Sequence, residues 1–494
     1  MQYDDQLLKP VREVWEHHCQ NLSEALDETS RELKNLLRLD EHHRHGHEEK
    51  HLKETMGPMA GRALNLASLS EVLGSSASAR CLPEERLKRI HNLVADLEHQ
   101  LKACARIPDG YPIMSIEDDE EAIHQAAEDH LDKMAQIFRD LRVAQLEVRA
   151  KYDPGVHDAM YANFTWRQLS PSELRLCPPF LIVAEVQSET GPVLRKAMSL
   201  LESRKPFKVV VLRSSLRKVY SPTADPSVPA TMAVETLPLA MRGVHFLQTC
   251  IAAPDYTRRL FEVLTSPRPS LVSLLAQRDG EDEEDFHLRA ERAMRSKAFP
   301  VVLYDPDRAK GFVSCFDLSS NPEGSEAYTF ADFALFEEEF AGEFSEPPAG
   351  VHADNLVPVA EFLELTRHQR MGKLPVVYAP GPDGEGTPKV VSSPIVTQAS
   401  DQQHLWKTLM EIAGVDNPHV KSTKANLQAA FGAEQKAMKE SLQQNLEKDR
   451  STHEKMTMAS AVQKLVANLT GVDPSRIDLQ QLLVERPETK KPES

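Results

Sequence analysis

"CPPFLIVAEVQSETGPVLRKAMSLLESRKPFKVVVLRSSLRKVYSP", residues Cys177–Pro222, carries the reading of the fold. Phe180–Val183 and Val209–Leu212 are short, continuous apolar runs, and Leu194–Glu202 between them has helical spacing. Strand, helix and strand in that order form a crossover unit. Continuous apolar strands, as opposed to alternating ones, belong in a parallel sheet buried on both faces. The turn after the first strand is where α/β proteins keep their ligand chemistry. Here it reads Glu185-Val186-Gln187, and the valine side chain has no polar atom.

Working outward, Val244–Leu247 and Leu271–Leu275 are further strands and Tyr256–Thr265 a further helix, so residues 151–290 read as an α/β layer domain. The proline-rich chain between Tyr220 and Pro238 reads as a connection crossing the edge of the sheet. Residues 291–418 form a third region of α+β character, with "PVVLY" and "LPVVYA" as strands and "TFADFALFEEEF" as a helix capped by Thr329. Gly381, Gly384 and Gly386 in "PGPDGEGTP" lack the strand-to-helix setting of a dinucleotide loop and predict a hairpin turn.

Residues 1–150 read as helical throughout. In the run Ala127, Leu131, Met134, Phe138, Leu141, Gln145 and Val148 the steps alternate between three and four, and Ser115 with Asp118 resembles a capping box opening that helix. In "DEHHRHGHEEKH" His43, His47 and His51 are spaced for one helical face, as a divalent metal would need, but Gly46 argues for a solvated connection there. Residues 419–484 are helical again, with Leu427, Phe431, Met438 and Leu442 on one face, and 485–494 are expected to be disordered.

Composition narrows the function classes. The 494 residues hold 75 Asp+Glu against 58 Lys+Arg, a net charge of −17, which disfavours an extended basic face for nucleic acid. No leader-like start and no long uninterrupted apolar run occur, so a cytoplasmic protein with no membrane partner is expected. The six cysteines stand singly, with no C-x-x-C pair, and are expected to be reduced and structural. Nucleophile elbow and Walker loop are missing from the sequence.

Several separated motifs occur in one order: "YDPGVHDAMYANFTWRQLSPSELRLCPP", "SKAFPVVLYDP", "FDLSSNP", "YTFADFALFEEEF", "LVPVAEFLELT" and "GKLPVVY". From Tyr152 to Gly414 the chain resembles the thiamine-diphosphate domain of pyruvate:ferredoxin oxidoreductases, more closely that of their large multidomain relatives. Fainter similarity, including "SLSEVLGSSASAR", reaches back to about Gly61. The resemblance implies an α/β fold with a parallel-sheet, thiamine-diphosphate-enzyme-like domain flanked by N- and C-terminal helical regions. In that family the domain binds thiamine diphosphate through magnesium, and the complete enzyme oxidises a 2-oxoacid, passing electrons through iron–sulfur clusters to ferredoxin.

The family's Gly-Asp-Gly after the first strand, whose aspartate ligates magnesium, is replaced here by Glu185-Val186-Gln187, and valine offers no oxygen to a hard cation. The family's Asp-Thr-x-Val at the end of the second strand is replaced by Arg213-Ser214-Ser215-Leu216. Ser214 retains a hydroxyl and Leu216 a carbonyl, but the glycines that follow in the family are absent from Arg217–Pro222. Glu185 is expected to pair with Arg213 or Lys218.

The resemblance therefore implies a non-catalytic, cofactor-site-degenerate relative, acting as a subunit or interaction scaffold in a homodimer or a larger oxidoreductase, with no cofactor of its own. Two alternatives stay open. One is a thiamine-diphosphate- and magnesium-dependent 2-oxoacid oxidoreductase subunit completed by a partner chain. The other is an anion or small-molecule sensor using the remodelled Arg213–Lys218 pocket.

Overall fold

The computed structural model describes residues 5–56, 65–77, 81–105, 113–186, 191–217, 237–322, 327–380, 386–471 and 473. A seven-stranded sheet is built from β1 (Ile113–Ser115), β2 (Phe180–Val186), β3 (Phe207–Arg213), β4 (His245–Thr249), β5 (Ser270–Leu275), β6 (Val302–Tyr304) and β7 (Phe316–Asp317). Their spatial order is β1-β2-β3-β5-β4-β6-β7. The five strands from β1 to β4 in that order run parallel. β6 joins β4 antiparallel and β7 joins β6 antiparallel, so the sheet is mixed where the sequence predicts a parallel one. "PVVLY", assigned from sequence to the third region, thus extends the α/β sheet.

The apolar runs of the strands divide, by their two-residue period, between two covered faces. On one face Ile182, Ala184, Val186, Val209 and Val211 pack against Leu194, Ala197 and Leu200 of α4 (Gly191–Glu202) and Ile123 and Ala127 of α3 (Glu120–Val148). On the other, Leu181, Val183, Val210 and Leu212 pack against Val14 and Trp15 of α1 (Asp5–His45) and Leu260 and Val263 of α5 (Tyr256–Leu264). Burial on both faces is what makes these strands continuous apolar runs.

The elements described in the N-terminal region are helices apart from β1, and beyond the sheet they also pack on one another. Leu22, Leu26 and Leu33 of α1 meet Ile90, Leu93 and Leu97 of α2 (Glu84–Ala105) and Phe138 and Leu141 of α3. The predicted capping box at Ser115 is not the cap: Ser115 ends β1, and Asp119 Oδ2 accepts from the Ala122 amide to start α3. In the histidine-rich stretch α1 ends at His45, and helix resumes at Glu49–Met56. A Cβ at Gly46 would lie 2.3 Å from the His42 carbonyl oxygen, so the break falls where only glycine fits. That break prevents His43, His47 and His51 from sharing one helical face.

A second sheet, β8 (Phe344–Ser345), β9 (Leu356–Pro358), β10 (Leu374–Ala379) and β11 (Thr387–Val391), has the order β8-β11-β10-β9. β10 and β11 are antiparallel neighbours, as the expected hairpin requires; Gly381 and Gly384 of its turn lie outside the described residues. Phe286 of α6 (Glu283–Arg295), Phe330 and Phe333 of α7 (Phe330–Ala334), and Ile395 and Ala399 of α8 (Ser393–Ile412) share a core with Phe299, Phe340 and Val377. α7 starts on Thr329, the predicted N-cap, which forms a capping box with Asp332, but ends five residues later, shorter than expected.

The chain forms two compact units, Met1–Val415 and Asp416–Ser494. The described part of the second is one helix, α9 (Pro418–Thr470), of 53 residues. The expected disordered tail, 485–494, lies outside the described residues. Among the described residues no helix is long and apolar enough to cross a membrane.

Candidate functional site at the carboxyl ends of β2, β3 and β5

Parallel strands of an α/β sheet open a crevice at their carboxyl ends, where ligands usually sit. Here β2 ends in Val186 and β3 in Arg213, and the two residues are direct partners in the ladder. The Ser214 amide donates to the Val186 carbonyl (3.3 Å), and the Ala276 amide, just past β5, donates to the Arg213 carbonyl (2.9 Å). The residues compared with the family's cofactor motif are therefore brought together at one end of the sheet. Gln187 and Lys218–Pro222 lie outside the described residues.

Val186 turns into the core: it is 5% exposed and belongs to the cluster that holds Leu194 and Ala197. Glu185 points out into solvent and makes no ion pair with a described residue, Arg213 included. The Arg213 guanidinium carbon stands 5.5 Å from the centre of the Phe299 ring, an edge of the aromatic core. Leu216 is 3% exposed, and its carbonyl accepts from Gln398 Nε2 of α8 at 2.8 Å. The carbonyl that the resemblance assigns to the metal is thus engaged by an amide side chain. Ser214's carbonyl is likewise engaged, by Arg278 Nε at 3.1 Å.

The crevice is filled from across the chain by the 3-10 segment Glu338–Glu343. Glu339 accepts from the Ser215 hydroxyl and, at 3.0 Å, from Arg278 Nη2. Its main-chain carbonyl accepts from Arg217 Nη1 at 2.7 Å. Arg217 also pairs with Glu343 at 3.2 Å, and Glu343 in turn accepts from Ser392 Oγ at 2.6 Å. Glu337 lies 2.6 Å from Arg278 and is 4% exposed. Burial pushes the Glu337 carboxyl up, against the pull of the Arg278 charge.

Behind this layer Arg289, 3% exposed, forks onto Glu281 with two bonds of 2.7 Å and donates to the Ala276 carbonyl at 2.7 Å. Burial raises the Glu281 carboxyl, but the bonds from Arg289 and from the Arg278 amide outweigh it and hold the group below its usual range. Arg217, Arg278 and Arg289 thus each face a carboxylate of the same chain. The arrangement can hold a loop against a sheet edge; it offers no cluster of oxygens for a hard cation. Among the described residues no group of three His, Cys, Asp or Glu is placed to hold a metal.

A magnesium–diphosphate group does not fit these residues. Val186 supplies no ligand atom, the Leu216 carbonyl already accepts from Gln398, and Arg213 places a cation next to the expected metal position. Cys177 is 8% exposed, and burial pushes its thiol up to about 12, which leaves it a packing residue as expected. Sequence reading missed Arg278, Glu281, Arg289, Glu337, Glu339, Glu343 and Gln398. The signal for the glutamates was the run Phe336-Glu337-Glu338-Glu339-Phe340, which Phe340 anchors in the core. Compared with protein-family models and with curated proteins, the sequence matches none.

Proposed function

We propose that the chain is a cytoplasmic, non-catalytic relative of the thiamine-diphosphate domain of pyruvate:ferredoxin oxidoreductases, used as a subunit or interaction scaffold, with its cofactor crevice closed by its own acidic segment. The observation that carries this reading is the engagement of Ser215, Arg217 and Arg278 by Glu339 and its neighbours. An incoming diphosphate would have to displace carboxylates that already neutralise those arginines. Separating a partly buried pair leaves one charge uncompensated, which opposes the exchange.

The loss of ligand residues leaves the fold intact, because both faces of β2 and β3 are held by apolar packing. Titration calorimetry of the full chain with magnesium and thiamine diphosphate is expected to give no saturable heat up to roughly 1 mM ligand. A stoichiometric isotherm at micromolar concentration would overturn the proposal. Thermal stabilisation of the unaltered protein by sulfate or phosphate alone would overturn it in favour of an anion sensor.

A further inference from the structure

We infer that α9 is a self-association element, through which two copies of this chain pair antiparallel. The inference stands whether or not the crevice binds a ligand. Every side chain from His419 to Met458 is exposed, including Val420 (52%), Leu427 (66%), Phe431 (66%), Met438 (67%), Leu442 (57%) and Leu446 (63%). Long helices draw most of their stability from burying an amphipathic face, and this one presents such a face uncovered.

The face has a definite repeat. Val420, Lys424, Leu427, Phe431, Gln435, Met438, Leu442, Leu446, Asp449 and His453 follow steps of four, three and four, three times over. Eleven residues in three turns come close to the natural twist of an α-helix, so the stripe stays on one side with little supercoiling. Beyond it, Met458, Val462, Leu465 and Leu469 turn to another side, and the seam ends.

The occupant is read from the order of the residues along the stripe, which is close to symmetric on reversal. A second copy running the other way, centred between Lys436 and Ala437, sets Leu427 against Leu446, Phe431 against Leu442 and Gln435 against Met438. The same register sets Lys424 against Asp449 at both ends. Neither makes an ion pair with a described residue, whereas Lys421 pairs with Asp416 and Arg450 with Glu454. Parallel pairing would put Lys424 on Lys424 and Asp449 on Asp449, like charges in a partly desolvated seam. The charges thus select both the partner and its direction.

The face from Val420 to His453 is about 50 Å long at 1.5 Å per residue. With the width of a helix it approaches the low end of specific interfaces, roughly 600 Å² per partner, so the dimer should depend on concentration. Light scattering on the full chain at about 50 μM should give twice 55.4 kDa, and Phe431→Glu with Leu442→Glu should return it to the monomer mass.

Direction is read by cross-linking. Leu427→Cys with Leu446→Cys should form an oxidised dimer on a non-reducing gel. Leu427→Cys alone should not, since its two copies would stand about 28 Å apart. Lys424→Glu should weaken the dimer about tenfold, and adding Asp449→Lys should restore it. A monomer at all concentrations would overturn the proposal. So would cross-linking by Leu427→Cys alone, or a charge swap that fails to rescue.

Discussion

Val186 and Arg213 face each other across the β2–β3 ladder, and their side chains have taken opposite fates: the valine joins the core while the guanidinium sits over Phe299. That valine's meaning was legible from sequence, because an isopropyl group cannot ligate a cation in any fold. What fills the crevice was not legible. Glu339 meets Ser215 across 124 positions of chain, and no local pattern encodes a contact of that separation. Replacing Glu339 by alanine tests the closure. The variant loses the carboxylate that holds Ser215 and Arg278 but keeps the carbonyl that holds Arg217. Stability should fall by roughly 1–3 kcal/mol, read as a lower urea midpoint with unchanged slope. About 50 mM sulfate should then recover stability in the variant and not in the parent, because only the variant frees the Ser215 hydroxyl and one of the two carboxylate contacts of Arg278, which otherwise keeps Glu337. Equal responses would show that the glutamate does not close the site.

Elements were more legible than contacts, and the failures have local causes. Phe180–Val186 and Phe207–Arg213 were found because burial on both faces leaves an uninterrupted apolar run. β1 was missed: Ile113-Met114-Ser115 is three residues long and becomes a strand through pairing with Leu181–Val183. α7 ends early because Glu337, which would continue it, is drawn to Arg278 and buried. Helix packing has a comparable polar anchor in Glu147, on α3. It is 1% exposed and accepts from Arg86 Nε at 2.8 Å and Arg89 Nε at 2.6 Å, tying the end of α3 to the start of α2. Glu147→Ala leaves two guanidinium groups, each about a quarter exposed, without their partner. The expected loss is roughly 3 kcal/mol by chemical denaturation. Hydrogen exchange should quicken first in α2. A loss below about 0.5 kcal/mol would reduce the pair to surface decoration.

Across the whole molecule, three imidazoles on three different elements are held neutral by burial, and together they set how the fold responds to acid. His18 of α1 is lowered to about 4, by burial first and then by the neighbouring His17 charge. His245 of β4 is lowered to about 4 by burial, although Asp305 pulls it upward. His130 of α3 is lowered as well, again by burial, between Trp15 and Phe180. In the unfolded chain each group returns to its ordinary value of 6.5. Between that value and about 4 the unfolded state binds protons that the folded state refuses, so stability falls as pH falls and is fully present above 6.5. For His18 and His245 the loss at pH 5 is about 2 kcal/mol each. Carboxylates held below their usual range, such as Glu281, lose their contribution only at lower pH, so the window near pH 5–6.5 belongs mainly to the histidines. Urea unfolding of the parent at pH 7 and pH 5 should show this loss. His18→Gln combined with His245→Gln is less stable at pH 7 but should lose several kcal/mol less on going to pH 5, since the titrating groups are gone. The difference between the two pH values is the readout, which keeps the test independent of the variants' baseline. An unchanged difference would mean that the buried imidazoles are protonated in the fold and that its acid response lies elsewhere.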